Sequence, residues 1–347
     1  MRIKEEVKEL WKLCFDDSDE FVEMYFRLRY SSETTMTIQS GNKVVSSLQM
    51  PYYPMTFEGA EIQTAYISGA CTHPDFRGKG VMSQLLAESF SRMVQKNIPL
   101  SILIPANRGL YDYYARTGYA PAFFRTRIEE NISDITATKG NLRFEHITSF
   151  DKSVFDYCAE KAHNRPNCVQ HTTEDFEAIM EDLRIGDGSA IVARNQPDGN
   201  PGTVPRCRGV LFAYPDGNYL EVPDWFADNK TIRNCLIREA ANYHNRSKIV
   251  RYKLPTHSGK EKPFGMARII NAKMILHLYA TTHPDEQINI QLTDEQLTFN
   301  NGYYYIADGI CTFSKKALKD EHTELSAGQL GTLIFDRIRL YMSLMLE

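Results

Sequence analysis

A glycine-rich turn between an apolar stretch and an amphipathic segment is the part of the chain best suited to chemistry. It reads His73-Pro-Asp-Phe-Arg-Gly-Lys-Gly-Val-Met82. Ala65 to Cys71 before it predicts a strand, and apolar residues at three- and four-residue spacing from Val81 to Val94 predict a helix. Such a helix start directs unpaired N–H groups and the positive dipole end outward. Because Gly78 and Gly80 lack side chains, a phosphate oxygen can approach the backbone, so the turn is predicted to bind an anion.

Two common phosphate-binding patterns do not fit this turn. The nucleotide-hydrolase loop needs Gly-x-x-x-x-Gly-Lys-Ser/Thr, which the chain lacks. The dinucleotide fingerprint needs a third glycine where Val81, Met82 and Ser83 stand. A glycine-rich helix start can also be purely structural, and the turn by itself does not distinguish this alternative from an anion site.

A second segment with chemical potential follows the predicted helix. It reads Asn107-Arg-Gly-Leu-Tyr-Asp-Tyr-Tyr-Ala-Arg-Thr-Gly-Tyr119, and the apolar run from Ile98 to Ile104 before it predicts a buried strand. The order is therefore strand, glycine turn, helix, strand and a tyrosine-bearing helix. This order and the two motifs together resemble the acetyl-coenzyme A half of the GNAT superfamily of N-acetyltransferases.

The resemblance rests on two motifs. Arg77 to Met82 resembles the family's Arg/Gln-x-x-Gly-x-Gly/Ala loop, although Met82 replaces the usual small residue. A bulky residue at this place is common in the enhanced-intracellular-survival (Eis) branch. The second segment resembles the late motif Asn…Tyr-x-x-x-Gly-Phe/Tyr, with matching positions at Asn107, Tyr114, Gly118 and Tyr119.

The resemblance implies that acetyl-coenzyme A (acetyl-CoA) binds as a cosubstrate. The loop amides would hold its pyrophosphate, and the preceding strand would pair with its pantetheine arm and could polarise the thioester oxygen. The implied cosubstrate-binding residues are Ala70, Cys71, Thr72, Arg77, Gly78, Lys79, Gly80, Val81, Met82 and Asn107. Cys71 itself is interpreted as a small core residue rather than as a covalent acyl carrier.

Tyr114 is the predicted general acid. A phenol of pKa ~10 can hydrogen-bond or protonate a leaving thiolate whose thiol pKa is ~8.5, and the family uses the matching tyrosine in this way. Assignment to Tyr111, one turn earlier, and a pure packing role for Tyr114 stay open.

The predicted base is a carboxylate of Glu347. Eis-like enzymes direct the C-terminal carboxylate into the active site, and the apolar tail from Arg339 to Glu347 is expected to be buried. The linker before it is shorter than the family's, which leaves the reach of the tail open. A tail that only caps the C-terminal sheet is the alternative, and the next candidate bases are then Asp17, Asp19 and Glu20.

Composition excludes several classes of partner. The net charge of −4 and the lack of a basic stripe argue against nucleic acid. No run approaches the ~20 apolar residues of a membrane span, so no membrane partner is expected. The seven cysteines are scattered and the nine histidines lack ligand spacing, so no metal site is predicted. Together with a charged N-terminus, this cysteine pattern favours the cytoplasm.

Three regions are predicted, as 347 residues suit two or three domains of roughly 100–200 residues. Residues 1–125 form a GNAT domain. Residues 126–258 repeat its plan with Pro223 to Asp228 in place of the glycine loop, and are interpreted as a degenerate GNAT fold. Residues 259–347 resemble, at Phe264–Ile275 and Leu325–Ile334, the sterol-carrier-like domain of Eis proteins. The predicted fold class is α/β (α+β): tandem GNAT folds followed by a sterol-carrier-protein-like α+β domain.

The predicted function is that of an Eis-like, acetyl-CoA-dependent N-acetyltransferase. The acceptor would be a primary amine of the lysine, aminoglycoside or polyamine type, which attacks directly in a ternary complex. The alternative is a coenzyme A-binding pseudoenzyme or scaffold whose C-terminal domain binds an apolar ligand. The family resemblance and the aromatic content of 11% predict a homo-oligomer.

Overall fold

The first region consists of helices around a twisted sheet. The computed structural model describes residues 2–195, 205–253, 261–319 and 321–346. The turn sequence Ser40-Gly-Asn-Lys43 is typical of a β-hairpin, and the strands that flank it are indeed paired antiparallel. The elements in chain order are α1 (Arg2–Cys14), α2 (Asp19–Leu28), β1 (Thr35–Ser40), β2 (Lys43–Gln49), β3 (Tyr52–Phe57), β4 (Ala60–Thr72), α3 (Val81–Gln95), β5 (Leu100–Leu103), α4 (Arg108–Ala115) and β6 (Ala120–Asn131).

The unit β4–α3–β5 positions the glycine loop. β4 and β5 are parallel, and α3 crosses between them after the loop. The predicted apolar face of α3 is confirmed, because Leu85, Leu86, Phe90 and Met93 are buried. Burying each such side chain contributes ~1.5–3 kcal/mol, and this packing holds the start of the helix against the end of β4.

The second region repeats a strand–helix–strand crossover. Its β10 and β12 are parallel, with α7 between them in the chain. The stretch 196–205 is rich in glycine and proline, which predicts a loop, and it lies outside the described residues except for Pro205. The elements are β7 (Leu142–Ile147), α5 (Lys152–His163), α6 (Thr173–Ile185), β8 (Ser189–Asn195), β9 (Cys207–Asp216), β10 (Tyr219–Val222), β11 (Trp225–Ala227), α7 (Lys230–Tyr243) and β12 (Lys248–Lys253).

The segment from Pro223 to Asp228 is not a simple turn into a helix. It contains the short strand β11, which pairs with β9. Asp224 before it is buried and forms a two-pronged ion pair with Arg165, with N–O distances of 2.8 and 3.1 Å. The buried carboxylate and this strand occupy the place that the glycine loop has in the first region, so no anion site is formed here.

The third region shares a sheet with the first. Its opening strand, β13, lies between β5 and β6 and is antiparallel to both. The remaining strands form a separate sheet in the order β16-β15-β14-β17. The elements are β13 (Lys262–Ile269), α8 (Ala272–Thr282), β14 (Ile288–Thr293), β15 (Gly302–Ala307), β16 (Ile310–Ser314), β17 (Thr323–Ser326) and α9 (Ala327–Arg337).

One long sheet therefore joins all three predicted regions. Over the described residues it has 13 strands, with the main order β1-β2-β4-β5-β13-β6-β12-β10-β9-β8-β7. β6 pairs with β13 up to Arg125 and with β12 from Thr126 onward. The predicted boundary after residue 125 thus falls inside one strand, where its partner changes. Within the described residues no helix is long and apolar enough to cross a bilayer.

Candidate active site

A gap between β4 and β5 lies at the centre of the site. The parallel pairing of the two strands ends at Ile67 and Leu103, whereas β4 continues to Thr72. In the described part of the chain, the β5-facing edge of β4 therefore has no strand partner from Ser68 to Thr72. Backbone N–H and C=O groups on such an edge are available to an extended ligand.

A β-bulge bends β4 at this gap. Ser47 pairs with Cys71 and Gln49 with Ser68, so β4 carries one extra residue in this stretch. Gly69 within the bulge has a φ of +54°. A Cβ atom on Gly69 would lie only 2.1 Å from Cζ3 of Trp11. Glycine is thus required both by the backbone conformation and by the indole ring that covers it.

The glycine loop ends β4 and starts α3. Gly78 and Gly80 have φ values of +73° and +77°, and Gly80 is the left-handed N-cap of α3. No side chain caps this helix start, so its first N–H groups remain available. A Cβ on either glycine would meet no atom within 4 Å. The space beside the loop is therefore open to a ligand, as the predicted anion site requires.

Tyr114 lies on α4 and faces the same cleft. The cleft has a volume of about 460 Å³ and is lined by Ala70, Thr72, Phe76, Arg77, Gly78, Gly80, Val81, Met82, Ser83, Leu110, Tyr113 and Tyr114. Tyr111 is not among these residues, so the geometry favours Tyr114 for the predicted acid. Burial raises the pKa of Tyr114 to about 12, and the neighbouring Tyr113 adds to this effect. Tyr114 is thus a hydrogen-bond donor at neutral pH.

Three predicted cosubstrate-binding residues have side chains outside the cleft. Cys71 is buried and its Sγ lies 3.4 Å from Ser47 Oγ. Lys79 is exposed, with its ammonium 5.2 Å from the centre of the Phe76 ring. The Asn107 side chain accepts from the N–H of Leu110 at 3.3 Å and so caps α4. Cys71 and Lys79 can contact a ligand in the cleft through their backbone, and Asn107 contributes by capping the helix that carries Tyr114.

The tail after α9 runs back toward the first region. The N–H of Tyr341 donates to Asn167 O at 2.8 Å, and Ser343 Oγ donates to Asp224 at 2.6 Å. Leu346 is buried in a cluster with Trp11 and Cys71. The predicted burial of the apolar tail is confirmed for Leu340, Met342, Met345 and Leu346, whereas Tyr341 and Leu344 are partly buried. Glu347 itself lies outside the described residues.

The alternative acidic residues each have a partner. Asp17 accepts from Trp11 Nε1 at 2.7 Å. Asp19 is paired with Lys12, and Glu20 with Arg184 at 2.8 Å. Of these groups only Asp17 touches Trp11, the side chain that covers the bulge.

Sequence reasoning missed several residues around the bulge. Trp11 covers Gly69, and Tyr25 on α2 shares a hydrogen bond of 3.0 Å with Ser68. Tyr113 shares one of 3.3 Å with Ser83 and so links α4 to α3. A glycine inside a predicted strand was the available signal, since it often marks a bulge or a close approach. Nothing local indicated that Trp11 is the residue that approaches.

Comparisons with known proteins agree with this geometry in the first region. Residues 4–122 match the family model described as the acetyltransferase (GNAT) domain. The chain therefore carries a GNAT acetyltransferase domain and is an enzyme of this acyltransferase type. No curated protein matches the chain.

Solved structures share the fold over nearly the whole chain. A GCN5-related N-acetyltransferase from Anabaena variabilis ATCC 29413 has a TM-score of 0.75 at 16% identity, covering 96% of this chain and 88% of that one. A probable N-acyltransferase from Enterococcus faecalis V583 has 0.74 at 16% identity, covering 96% and 87%. Eis1 from Mycobacterium abscessus has 0.70 at 10% identity, also covering 96% and 87%. At such identities the likeness establishes the mixed α/β GNAT fold.

Proposed function

We propose that this protein is an acetyl-CoA-dependent N-acetyltransferase that acts on a primary amine by direct attack in a ternary complex. The observation that carries the proposal is the cleft in which the unpaired end of β4, the glycine loop and Tyr114 meet. The open space beside Gly78 and Gly80 fits a pyrophosphate close to the backbone. The unpaired edge from Ser68 to Thr72 fits an extended pantetheine arm.

Acetyl-CoA supplies the activated carbonyl, and the chain supplies position and charge stabilisation. The first N–H groups of α3 bind the pyrophosphate, which fixes the arm along β4. An N–H group near the Gly69 bulge then points at the thioester oxygen, where negative charge develops during attack. Holding both substrates in a near-attack pose contributes ~7–11 kcal/mol to lowering the barrier.

Tyr114 stabilises the departing thiolate. Its pKa of about 12 lies above that of a thiol, ~8.5. A full proton transfer from the phenol to the thiolate is therefore unfavourable, and the main contribution of Tyr114 is a hydrogen bond that strengthens as the thiolate forms. The proton removed from the attacking amine can then neutralise the thiolate.

Glu347 is the proposed base, through its terminal or side-chain carboxylate. The burial of Leu346 in one cluster with Trp11 and Cys71 supports this role, because Trp11 covers the bulge of β4. An apolar surrounding would raise the pKa of a carboxylate and make it a stronger base. Asp17, which accepts from Trp11 Nε1, is the substitute if Glu347 does not take part.

The acceptor is proposed to be a cationic primary amine, such as a lysine side chain, an aminoglycoside or a polyamine. The segment that follows Cys14 carries Asp16, Asp17, Asp19 and Glu20. It starts next to the cleft, because Cys14 Sγ lies 3.6 Å from the Thr72 carbonyl oxygen. Asp19 and Glu20 are paired with Lys12 and Arg184, so Asp16 and Asp17 are the carboxylates proposed to attract a cation.

We also propose the Eis-like assignment of the whole chain. The second crossover, β10–α7–β12, supports a degenerate GNAT fold, and the sheet of β14 to β17 with α8 and α9 is the proposed sterol-carrier-like part. The protein is also proposed to be a homo-oligomer and to be located in the cytoplasm. Light scattering at micromolar concentration tests the assembly, and a monomeric mass would contradict it.

The function is tested by binding and turnover together. Calorimetric titration with acetyl-CoA should give saturable binding, and release of coenzyme A should depend on an added amine from a panel of lysine peptides, aminoglycosides and polyamines. Initial rates with both substrates varied should give intersecting lines, as a ternary complex requires. Binding without turnover on any amine would contradict the enzyme assignment, and parallel lines would contradict direct attack.

A further inference from the structure

Two cysteine side chains that have no role in the proposed reaction lie beside the cleft. Cys14 ends α1, and Cys71 lies on β4 between Ala70 and Thr72. Both are free thiols, and Cys14 Sγ lies 3.6 Å from the carbonyl oxygen of Thr72, the residue that follows Cys71. Cys14 is partly exposed, whereas Cys71 is buried in the cluster against which Cys14 packs. A small reagent in solution can therefore reach Cys14 more readily than Cys71.

Arg77 connects Cys14 with the glycine loop. Its Nη2 donates to Cys14 Sγ at 3.6 Å, and its Nε donates to the Thr72 carbonyl oxygen at 3.0 Å. Hydrogen bonding from the Cys71 thiol, with help from the Arg77 guanidinium, lowers the pKa of Cys14 to about 6 although partial burial raises it. Cys14 is thus a thiolate at neutral pH. A low-pKa, accessible thiolate next to a second thiol is the arrangement of peroxide-sensitive sites.

We propose that Cys14 and Cys71 form a reversible disulfide when the protein meets a peroxide, and that this modification weakens acetyl-CoA binding. The Cys14 thiolate attacks one oxygen of hydrogen peroxide, so an S–O bond forms, the O–O bond breaks and the released hydroxide takes a proton. The sulfur of Cys71 then attacks that of Cys14, and the hydroxyl group leaves as water with the Cys71 proton. Two thiols and one hydrogen peroxide give one disulfide and two waters.

Oxidation of Cys14 also removes the main cause of the raised pKa of the Cys71 thiol. The pKa of Cys71 is raised first by its hydrogen bond to Cys14 and then by burial. Once Cys14 is a neutral sulfenic acid, the contribution from its negative charge disappears. Cys14 packs against the cluster that contains Cys71, and this proximity favours the second step.

The disulfide would act on the surface that holds the cosubstrate. An S–S bond of ~2.05 Å is shorter than any contact between two unbonded sulfur atoms, so it pulls the end of α1 against β4 at Cys71. This part of β4 is the edge proposed to pair with pantetheine, and Arg77 loses its thiolate partner. The predicted loss of acetyl-CoA binding therefore rests on the proposed function, whereas the formation of the disulfide does not.

Formation of the disulfide is tested on the full chain with hydrogen peroxide. Intact mass should fall by two hydrogens and recover with a reductant, and peptide mapping should join Cys14 to Cys71. Cys14→Ser and Cys71→Ser should each prevent the mass loss, and Cys71→Ser should accumulate a sulfenic acid at Cys14. Cys311→Ser is the matched control, because Cys311 is also partly exposed but burial raises its pKa to about 11.

The predicted loss of binding is tested by titrating acetyl-CoA into oxidised and reduced protein. Affinity should fall about ten-fold on oxidation, equivalent to about 1.4 kcal/mol, and should return with reductant. In Cys14→Ser, peroxide should leave that variant's own affinity unchanged. If the mass does not fall, or if other cysteines are linked, the proposed disulfide is wrong. If Cys14 and Cys71 are linked but the affinity for acetyl-CoA is unchanged, the proposed effect on binding is wrong. Failure of the reduced protein to bind acetyl-CoA would instead contradict the proposed function, while the mass still decides the disulfide.

Discussion

Replacing Gly69 with alanine should destabilise the protein and damage the cosubstrate site together. The new Cβ would lie 2.1 Å from the Trp11 ring, and the φ of +54° is unfavourable for alanine. The left-handed backbone costs ~1–2 kcal/mol, and forcing a methyl group into a packed core costs a further ~1–3 kcal/mol. The free energy of unfolding should therefore fall by about 2–5 kcal/mol, from a typical total of ~5–15 kcal/mol.

Gly59 offers a matched control for this prediction. Its φ is +75°, but a Cβ there would meet no atom within 4 Å. Gly59→Ala should thus cost only the backbone part, ~1–2 kcal/mol, and should leave acetyl-CoA affinity unchanged. Urea unfolding of both variants, followed by calorimetric titration with acetyl-CoA, measures the two effects.

A double variant isolates the contact with the indole. In a Trp11→Leu background the clash is removed, so Gly69→Ala should cost only its backbone part. The coupling between the two positions should then be ~1–3 kcal/mol. If Gly69→Ala costs no more than Gly59→Ala, Trp11 does not set the shape of the bulge and the reasoning is wrong.

Three further predictions concern the cleft. Tyr114→Phe should lower kcat by about 10²–10³ with little change in acetyl-CoA affinity, since only the hydroxyl that donates to the developing thiolate is lost. Because the pKa of Tyr114 is about 12, its donor form should persist up to pH 10, and it should cause no fall in kcat below that pH. Gly80→Val should abolish acetyl-CoA binding measured by calorimetry. Adding several polar residues after Glu347 should lower kcat in a steady-state assay by displacing its terminal carboxylate.

Controls for these predictions come from the same chain. Tyr113→Phe keeps the ring beside Tyr114 and should have the smaller effect on kcat, and equal losses would contradict the assigned role. Gly140 has a positive φ and open space like Gly80, so Gly140→Val should leave acetyl-CoA binding intact. Unchanged affinity in a folded Gly80→Val protein would contradict the loop assignment. Full activity of the extended chain would exclude the terminal carboxylate and direct attention to Asp17.

Local patterns in the sequence predicted the elements that form the cleft. The left-handed conformations at Gly78 and Gly80, the buried face of α3 and the position of Tyr114 on α4 all depend on residues near one another in the chain. Helical spacing and glycine freedom are local properties. A single sequence therefore contained the information for the glycine loop, the helix that follows it and the candidate acid.

Long-range pairing was decided only by the tertiary structure. The insertion of β13 between β5 and β6 depends on which strand edges remain free, and no pattern inside Lys262–Ile269 specifies its partners. The change of partner within β6 follows from the same cause. These pairings explain why the predicted third region shares a sheet with the first.

The surroundings of the cleft were equally beyond the sequence. Trp11 over Gly69, Cys14 near Cys71 and Leu346 beside α1 and α2 are contacts between residues that are distant in the chain. Such contacts arise because several apolar faces must be buried at once, and the partners depend on how helices and strands pack. The sequence thus determined the local conformation of the loop and the place of Tyr114 on its helix, and the packing decided which side chains surround them.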